Sequence, residues 1–389
     1  MKKHYNIPIF ITHSGCKNDC VFCNQKIITG QPESSGEQEI RETIEKFIDI
    51  IYSRIDNNNS FVGTEIAFFG GSFTGLERAQ MIKLLEIANE YIDKYKIIDG
   101  IRSSTRPDYI SQEIIEILQK YNVKSIELGI QSMFDEVLTA CKRGCTVEDT
   151  ERACGIIKSA GLNLTGQMML GLPESSREKD IETALKLVDL GIDSARIYPT
   201  IVLQGTQLYN MYKRGEYEPL SLDEAVFRAK EVKKIFDLNN IDILRMGLCS
   251  SDNISGKSCI GPYHPAFGEL VESEIIYDRL VEDIETSDLP KHPPVATGTL
   301  FAKEGKEKNE ITPALFSKEG TPAGGGVLFP KSEIIIYTNK KNMSKVIGHK
   351  RKNIERLIVG DASLGVPPVK IKIIEDNNIN LYKIEITEK

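Results

Sequence analysis

The chain has 389 residues, 40% hydrophobic and 27% charged, the make-up of an ordinary soluble globular protein with room for one large domain and a smaller one. No apolar run approaches the roughly 18 uninterrupted residues of a membrane span, and eight cysteines are too few for a disulfide scaffold, which points to a reducing, cytoplasmic setting. A formal net charge of −7 carries no global signature of nucleic-acid binding, and none for DNA is expected, although it can conceal a local basic patch.

The N-terminal stretch MKKHYNIPIFITHSGC has basic residues and a short apolar run but no small-residue cleavage site, so it reads as a first strand and not as a signal peptide. It runs directly into Cys16, Cys20 and Cys23, spaced C-x3-C-x2-C. That spacing supplies three thiolates to one side of a cubane iron–sulfur cluster and leaves the fourth iron open to a small molecule. A structural zinc knot, with His13 as the nearby fourth ligand, or a plain group of reduced thiols would use the same letters.

From residue 7 to about 247, β-rich segments alternate with amphipathic ones. Strands are predicted at 7–13, 65–71, 100–105, 125–130, 163–170 and 194–199, with a further short strand at 241–246. Helical periodicity fills 37–55, 77–95, 111–121, 147–160, 177–190 and 221–238, where apolar residues recur three and four apart, as in Ile181, Leu185 and Val188. Such alternation implies an α/β fold, a partial (β/α)6-type TIM-like barrel over residues 1–247. Residues 248–330 read as an extension of the barrel, with a helix at 267–284, followed by a Pro/Gly-rich connector.

In a barrel of this kind the site lies where strands end. Cys16 to Cys23 follow the first strand, Gly70-Gly71-Ser72 the second, Arg106 the third, and Gln131 the fourth, with Glu127 just before it. Glycines let backbone approach a ligand closely. Glu127 and Gln131 can hydrogen-bond hydroxyls or simply solvate a strand end, and Arg106 and Arg143 can pair with a bound anion or form surface ion pairs. Tyr198 ends the IYP strand, where a buried phenol can donate a proton or pack on Pro199; with Arg143 it is the candidate catalytic residue, and Arg196 is a further candidate for the substrate side. Cys249 and Cys259 are too loosely spaced for a second metal site and read as unligated thiols.

The cysteine spacing resembles that of the radical S-adenosylmethionine (SAM) superfamily. TRPDYI, IELGIQS, KRGCTVEDT, MMLGLP and RIYPTIVLQGTQLYNMYKRGEY further resemble the radical SAM domain of the Elongator catalytic subunit, over roughly residues 5–247. The resemblance implies a [4Fe-4S] cluster held by Cys16, Cys20 and Cys23, with SAM chelating its fourth iron. It also implies that backbone at Phe22 meets the adenine, that Gly70, Gly71 and Ser72 meet the methionyl amino group, and that Arg106, Glu127 and Gln131 contact SAM. A flavodoxin or ferredoxin would be the electron donor. That family modifies wobble uridines of tRNA with acetyl-CoA as carbon source. Here the cysteines are more compact than in the Elongator subunit, Cys145 stands where histidine is expected, and no glycine-rich strand–loop–helix suited to CoA follows residue 250, so carboxymethylation is not carried over.

Residues 331–389 read as a small α+β domain whose MSKVIGHKRKNIERL resembles the helix–loop–helix of a KH domain, with Arg351 in place of the second loop glycine. Lys345, Lys350, Arg351 and Lys352 lie in a dense basic stretch that would attract RNA phosphates or form a solvated helix face. The reading is a radical SAM enzyme that modifies tRNA or rRNA. A radical SAM oxidase or methyltransferase acting on a small molecule such as a tetrapyrrole, and a non-catalytic RNA-binding iron–sulfur protein, are the alternatives.

Overall fold

The computed structural model describes residues 3–12, 14–16, 20–29, 35–55, 61–248, 259–285, 302–304, 311–313, 332–359 and 370–388. They divide into two compact units, Met1–Phe267 and Gly268–Lys389. In the first, the strands Lys3–Phe10, Phe61–Phe69, Ile98–Thr105, Val123–Gln131, Asn163–Leu170, Ser194–Pro199 and Asp242–Met246 lie in chain order in one parallel sheet. The helices Glu37–Ile55, Arg78–Lys94, Gln112–Lys120, Val147–Ser159, Arg177–Asp189 and Leu222–Leu238 connect successive strands. The expected partial barrel is therefore present, with IDILRM as its seventh strand.

The loops that carry the site end where a helix is capped. Ser111, Thr146, Ser176 and Ser221 each accept a hydrogen bond from the backbone N–H three residues on. A cap of this kind contributes about 1 kcal/mol. Three short helices were not expected from the periodicity: Gln25–Thr29, Asp135–Ala140 and Gln207–Lys213. Each has seven residues or fewer, too short to show a repeat.

The two faces of the sheet differ. On one, Ile66, Phe68, Ile101, Ile126, Leu128, Leu164, Met168, Ala195 and Ile197 are buried. Alternate positions on the other face are polar, as the period of two in a strand requires. Glu65 pairs with Arg102 at 2.9 Å, and their side chains are only 5% and 10% exposed. Ser125 Oγ donates to Glu65 at 2.5 Å, and Arg102 donates to Thr165 Oγ1 at 3.0 Å. Higher in the lumen, Arg196 Nε lies 2.8 Å from Glu127 Oε2. Fully buried parallel strands usually read as continuous apolar runs, so a polar lumen is unusual enough to imply a use.

In the second unit the strand Ser332–Thr338 is central, with Lys370–Glu375 parallel on one side and Tyr382–Glu388 antiparallel on the other. The helices Met343–Ile347 and Lys352–Val359 connect the central strand to its parallel neighbour, the βααβ order expected from the sequence. A short antiparallel pair, Ala302–Glu304 with Ile311–Pro313, is also present. The helix Phe267–Glu285, expected as part of the barrel extension, instead packs Ile276, Tyr277, Leu280 and Val281 into the core of this unit with Ile334, Ile336, Ile354 and Ile371. The domain therefore begins near residue 268 and not at 331. Most of the expected connector lies outside the described residues. Among the described residues no helix is long and apolar enough to cross a membrane.

The loop between the two helices departs from ordinary backbone. Gly348 has φ +83°, Lys350 +50° and Arg351 +66°. Arg351, at the position of the missing glycine, thus takes the left-handed conformation that glycine adopts freely, at a cost of about 1–2 kcal/mol.

Replacing one member of the lumen pair tests how far the barrel depends on it. Arg102→Met strands the Glu65 carboxylate and is expected to destabilise the protein by about 3–5 kcal/mol in urea titration. A Glu65→Gln, Arg102→Met double variant should recover most of that loss.

Candidate active site

The thiol loop and the glycine turn are locked together through backbone. The N–H of Ser72 donates to Ser14 O at 3.0 Å, and the N–H of Ser14 to Ile11 O at 2.9 Å. A Cβ on Gly71 would stand 2.5 Å from both Ile11 O and Ser14 O. Gly15, at φ +76°, has the same problem against Ser72 O. Cys16 Sγ lies 3.2 Å from Ser72 Oγ.

These segments form one wall of a cleft lined from the first five strands and the loops that follow them. Cys16, Cys20, Cys23, Phe22, Gly70, Gly71, Ser72, Arg106, Gln131 and Arg143 all line it, as do Gln25, Ser104, Thr105, Gly129 and Gln167, which the sequence reading did not single out. The space amounts to about 720 Å³ with its open mouth included. Phe22 has a second role, since its ring also packs against the apolar cluster of Val21, Val137, Cys141, Leu172, Val202 and Leu208.

Two expected residues lie elsewhere. Glu127 and Tyr198 are not among the cleft-lining residues. Both engage Arg196, which pairs with Glu127 at 2.8 Å and donates to Tyr198 Oη at 3.3 Å. Burial, working against the phenolate, holds the Tyr198 phenol above its ordinary pKa. The inward side of the fourth and sixth strands brings these two residues together, with Glu127 in register with the cleft-lining Ser104 and Arg196 with the cleft-lining Gln167.

Arg143, read as an anion partner or a surface ion pair, lies in the wall of the cleft. It is buried, donating to Cys20 Sγ at 3.2 Å and to Gly129 O. Burial opposes its charge, but the nearby Cys20 and Cys145 sulfurs outweigh that and raise its pKa. Arg106 is held by Asp108 at 2.9 and 3.0 Å and donates to Arg143 O. Its Nη1 is buried and has no hydrogen-bond partner among the described residues, and the same holds for Ser104 Oγ. A buried donor without a partner costs roughly 1–3 kcal/mol, so the cleft is built to receive an acceptor.

Gln25 Nε2 lies 3.6 Å from Cys23 Sγ. Burial first, and then the neighbouring Cys20 and Cys16 sulfurs, push the Cys23 thiol up to about 12. Metal binding must displace that proton. Three thiols spread around one cleft suit a cluster, where each thiolate takes a different iron. Gly70 and Gly71, Ser104 Oγ and Arg106 Nη1 supply the polar cradle beside them. The residues present therefore fit an iron–sulfur cluster with a polar small molecule at its side.

A parallel partial barrel with a thiol loop and a glycine turn at its carboxyl edge defines the class of enzymes that pair an iron–sulfur cluster with SAM. Residues 10–188 match the Radical SAM superfamily model, and residues 192–277 match the model of the Radical SAM C-terminal domain. An uncharacterized protein of Methanocaldococcus jannaschii is 32% identical over 237 residues, 58% of this chain and 70% of that protein. The chain belongs to the radical SAM superfamily and is an enzyme of that superfamily, whose cofactors are SAM and an iron–sulfur cluster. It is 42% identical over 125 residues to the tRNA uridine(34) acetyltransferase of Methanocaldococcus infernus, covering 31% of this chain and 23% of that protein. It is 35% identical over 130 residues to Elongator complex protein 3 of Saccharomyces cerevisiae, covering 33% of this chain and 23% of that protein. The matches thus span about a quarter of the length of these relatives. The solved structure of N-terminally truncated Elp3 from Methanocaldococcus infernus shares the fold at a TM-score of 0.55 and 23% identity, covering 74% of this chain and 64% of that one.

The C-terminal basic residues are less uniformly available than their sequence suggests. Lys352 lies 3.5 Å from Glu274, and Arg356 pairs with the same carboxylate at 2.9 Å and stacks 3.6 Å over Tyr277. Lys345 and Lys350 have no carboxylate partner among the described residues.

The interlock between Gly71 and the thiol loop is testable. Gly71→Ala forces the loop bearing Cys16 away from the turn, and the reconstituted variant should hold less than about half the iron per chain of the parent while keeping its circular dichroism.

Proposed function

We propose that this chain is a tRNA-modifying radical SAM enzyme that uses a [4Fe-4S] cluster. The observation that carries the reading is the meeting of Cys16, Cys20 and Cys23 with the Gly70-Gly71-Ser72 turn in one cleft, in a chain that is 42% identical over 125 residues to a tRNA uridine(34) acetyltransferase. In this reading Cys16, Cys20 and Cys23 hold the cluster. Backbone at Phe22, Gly70 and Gly71, with Ser72 and Gln131, positions SAM, and Arg106 offers Nη1 to its carboxylate. When bound, the cluster and SAM supply a 5′-deoxyadenosyl radical able to abstract hydrogen from substrate, fed by a one-electron donor such as flavodoxin or ferredoxin.

The chain's own residues prepare the site. Arg143 fixes Cys20 against Gly129 by donating to the Cys20 sulfur and to the strand carbonyl. Glu127 and Arg196 compensate each other's charge and orient the Tyr198 phenol, which burial keeps protonated and able to donate a hydrogen bond to substrate. Lys345 and Lys350, with Arg351 and Lys352, offer cations to RNA phosphates in the βααβ unit, supported by the strained loop between its helices.

After anaerobic cluster reconstitution, addition of SAM and dithionite is expected to yield 5′-deoxyadenosine, faster with total tRNA than without. Cys20→Ala should reduce the yield to background. A full cluster that gives no 5′-deoxyadenosine would overturn the enzymatic reading, and a yield indifferent to tRNA would overturn the substrate. Lys345→Ala, Lys350→Ala double substitution should weaken tRNA binding and flatten its dependence on log salt by about 0.7–0.9 for each phosphate no longer neutralised, read by filter binding.

A further inference from the structure

One row of the sheet runs from the thiol cleft to its open edge. Gly129 is in register with Gln167, Gln167 with Arg196, and Arg196 with Arg245 on the last strand. Gly129 and Gln167 line the cleft. Arg245 is in register with the inward-facing Arg196, across an irregularity that leaves its neighbour Leu244 unpaired and 46% exposed.

The charges on this inward face do not cancel. Glu65 is paired with Arg102, and Glu127 with Arg196. Arg245 donates through Nε to Gly247 O at 3.1 Å and has no carboxylate partner among the described residues. It is half-buried and in register with the inward-facing Arg196. Beside it, Tyr198 accepts from Arg196, which leaves its own O–H to donate. Arg245 is among the cations acting on that phenol.

We propose that Arg245, with Tyr198 and Arg196, forms an oxyanion subsite that receives one phosphate or carboxylate group of the substrate. A guanidinium whose terminal nitrogens have no hydrogen-bond partner among the described residues presents the paired donors that such groups accept. Two strand spacings separate Arg245 from Gln167, about 10 Å, so the anion would anchor a substrate whose reacting carbon lies at the cleft. The substrate assignment rests on the radical SAM reading; the subsite itself does not.

Phenylglyoxal labelling of the cluster-loaded full chain, quantified by mass spectrometry at the peptide carrying Arg245, reads the subsite without turnover. Sodium phosphate or sodium acetate, against sodium chloride at matched ionic strength, or else total tRNA, is expected to slow labelling of Arg245 about threefold or more and to leave the exposed Arg214 unchanged. Protection by tRNA, where phosphate at the same phosphate concentration gives none, assigns the group to an RNA backbone. Protection by the small anions without tRNA assigns it to a small co-substrate. Labelling of Arg245 that none of the three slows overturns the subsite. A protein that protects Arg245 yet makes 5′-deoxyadenosine indifferently to RNA keeps the subsite and loses the RNA substrate.

Discussion

Everything at the site depends on a backbone-to-backbone contact that only glycine permits. The turn after the second strand presses its Gly71 against the carbonyls of Ile11 and Ser14, and the thiol loop returns the contact at Gly15. Two segments more than fifty residues apart are thereby held as one wall, with the Cys16 thiol at hydrogen-bonding distance from Ser72. Close approach of this kind removes side chains from the contact and leaves peptide dipoles facing the cleft. A polar cofactor can then be bound by backbone, without long side chains whose immobilisation would cost entropy.

The partial barrel supplies the second constraint. Its sheet is apolar towards the helices and polar within, where two buried pairs, Glu65 with Arg102 and Glu127 with Arg196, match their charges. Breaking such a pair is costly, whereas the intact pair adds little net stability, so its presence points towards use of the lumen and away from simple core formation. Arg143 belongs to the same logic: a buried cation bonded to Cys20 Sγ and to a strand carbonyl ties the thiol loop to the fourth strand. The C-terminal unit is organised differently. There Asn353 donates to Ser273 O at 2.9 Å and to Lys345 O at 3.2 Å, joining helix Phe267–Glu285 to the βααβ motif and leaving the strained loop at the surface.

Much of this was legible in the chain. The strands at 100–105, 163–170 and 194–199 and the helix at 37–55 follow from periodicity and end close to where the structure ends them. Cys16, Cys20, Cys23, Gly70 and Gly71 were legible because their spacing and their place after strands carry the chemistry. Gln167, Ser104 and Arg245 were not singled out, although alternating polar residues in TGQMM, RSST and ILRM were a visible signal of a polar lumen. Tyr198 was placed on the substrate side from its strand end and Glu127 at SAM from the family resemblance, and neither signal names the side chain each would meet.

The sequence by itself determined the order of strands and helices, the identity of the thiols, and the basic βααβ segment. These depend on local periodicity and on residue type, both written linearly. Only the tertiary structure decided which charges are already matched, because pairing joins residues far apart in the chain: Glu65 finds Arg102, Glu127 finds Arg196, and Lys352 and Arg356 share Glu274. It also decided that the helix after residue 267 belongs with the C-terminal sheet, since an amphipathic helix records that it has a buried face but not what it is buried against.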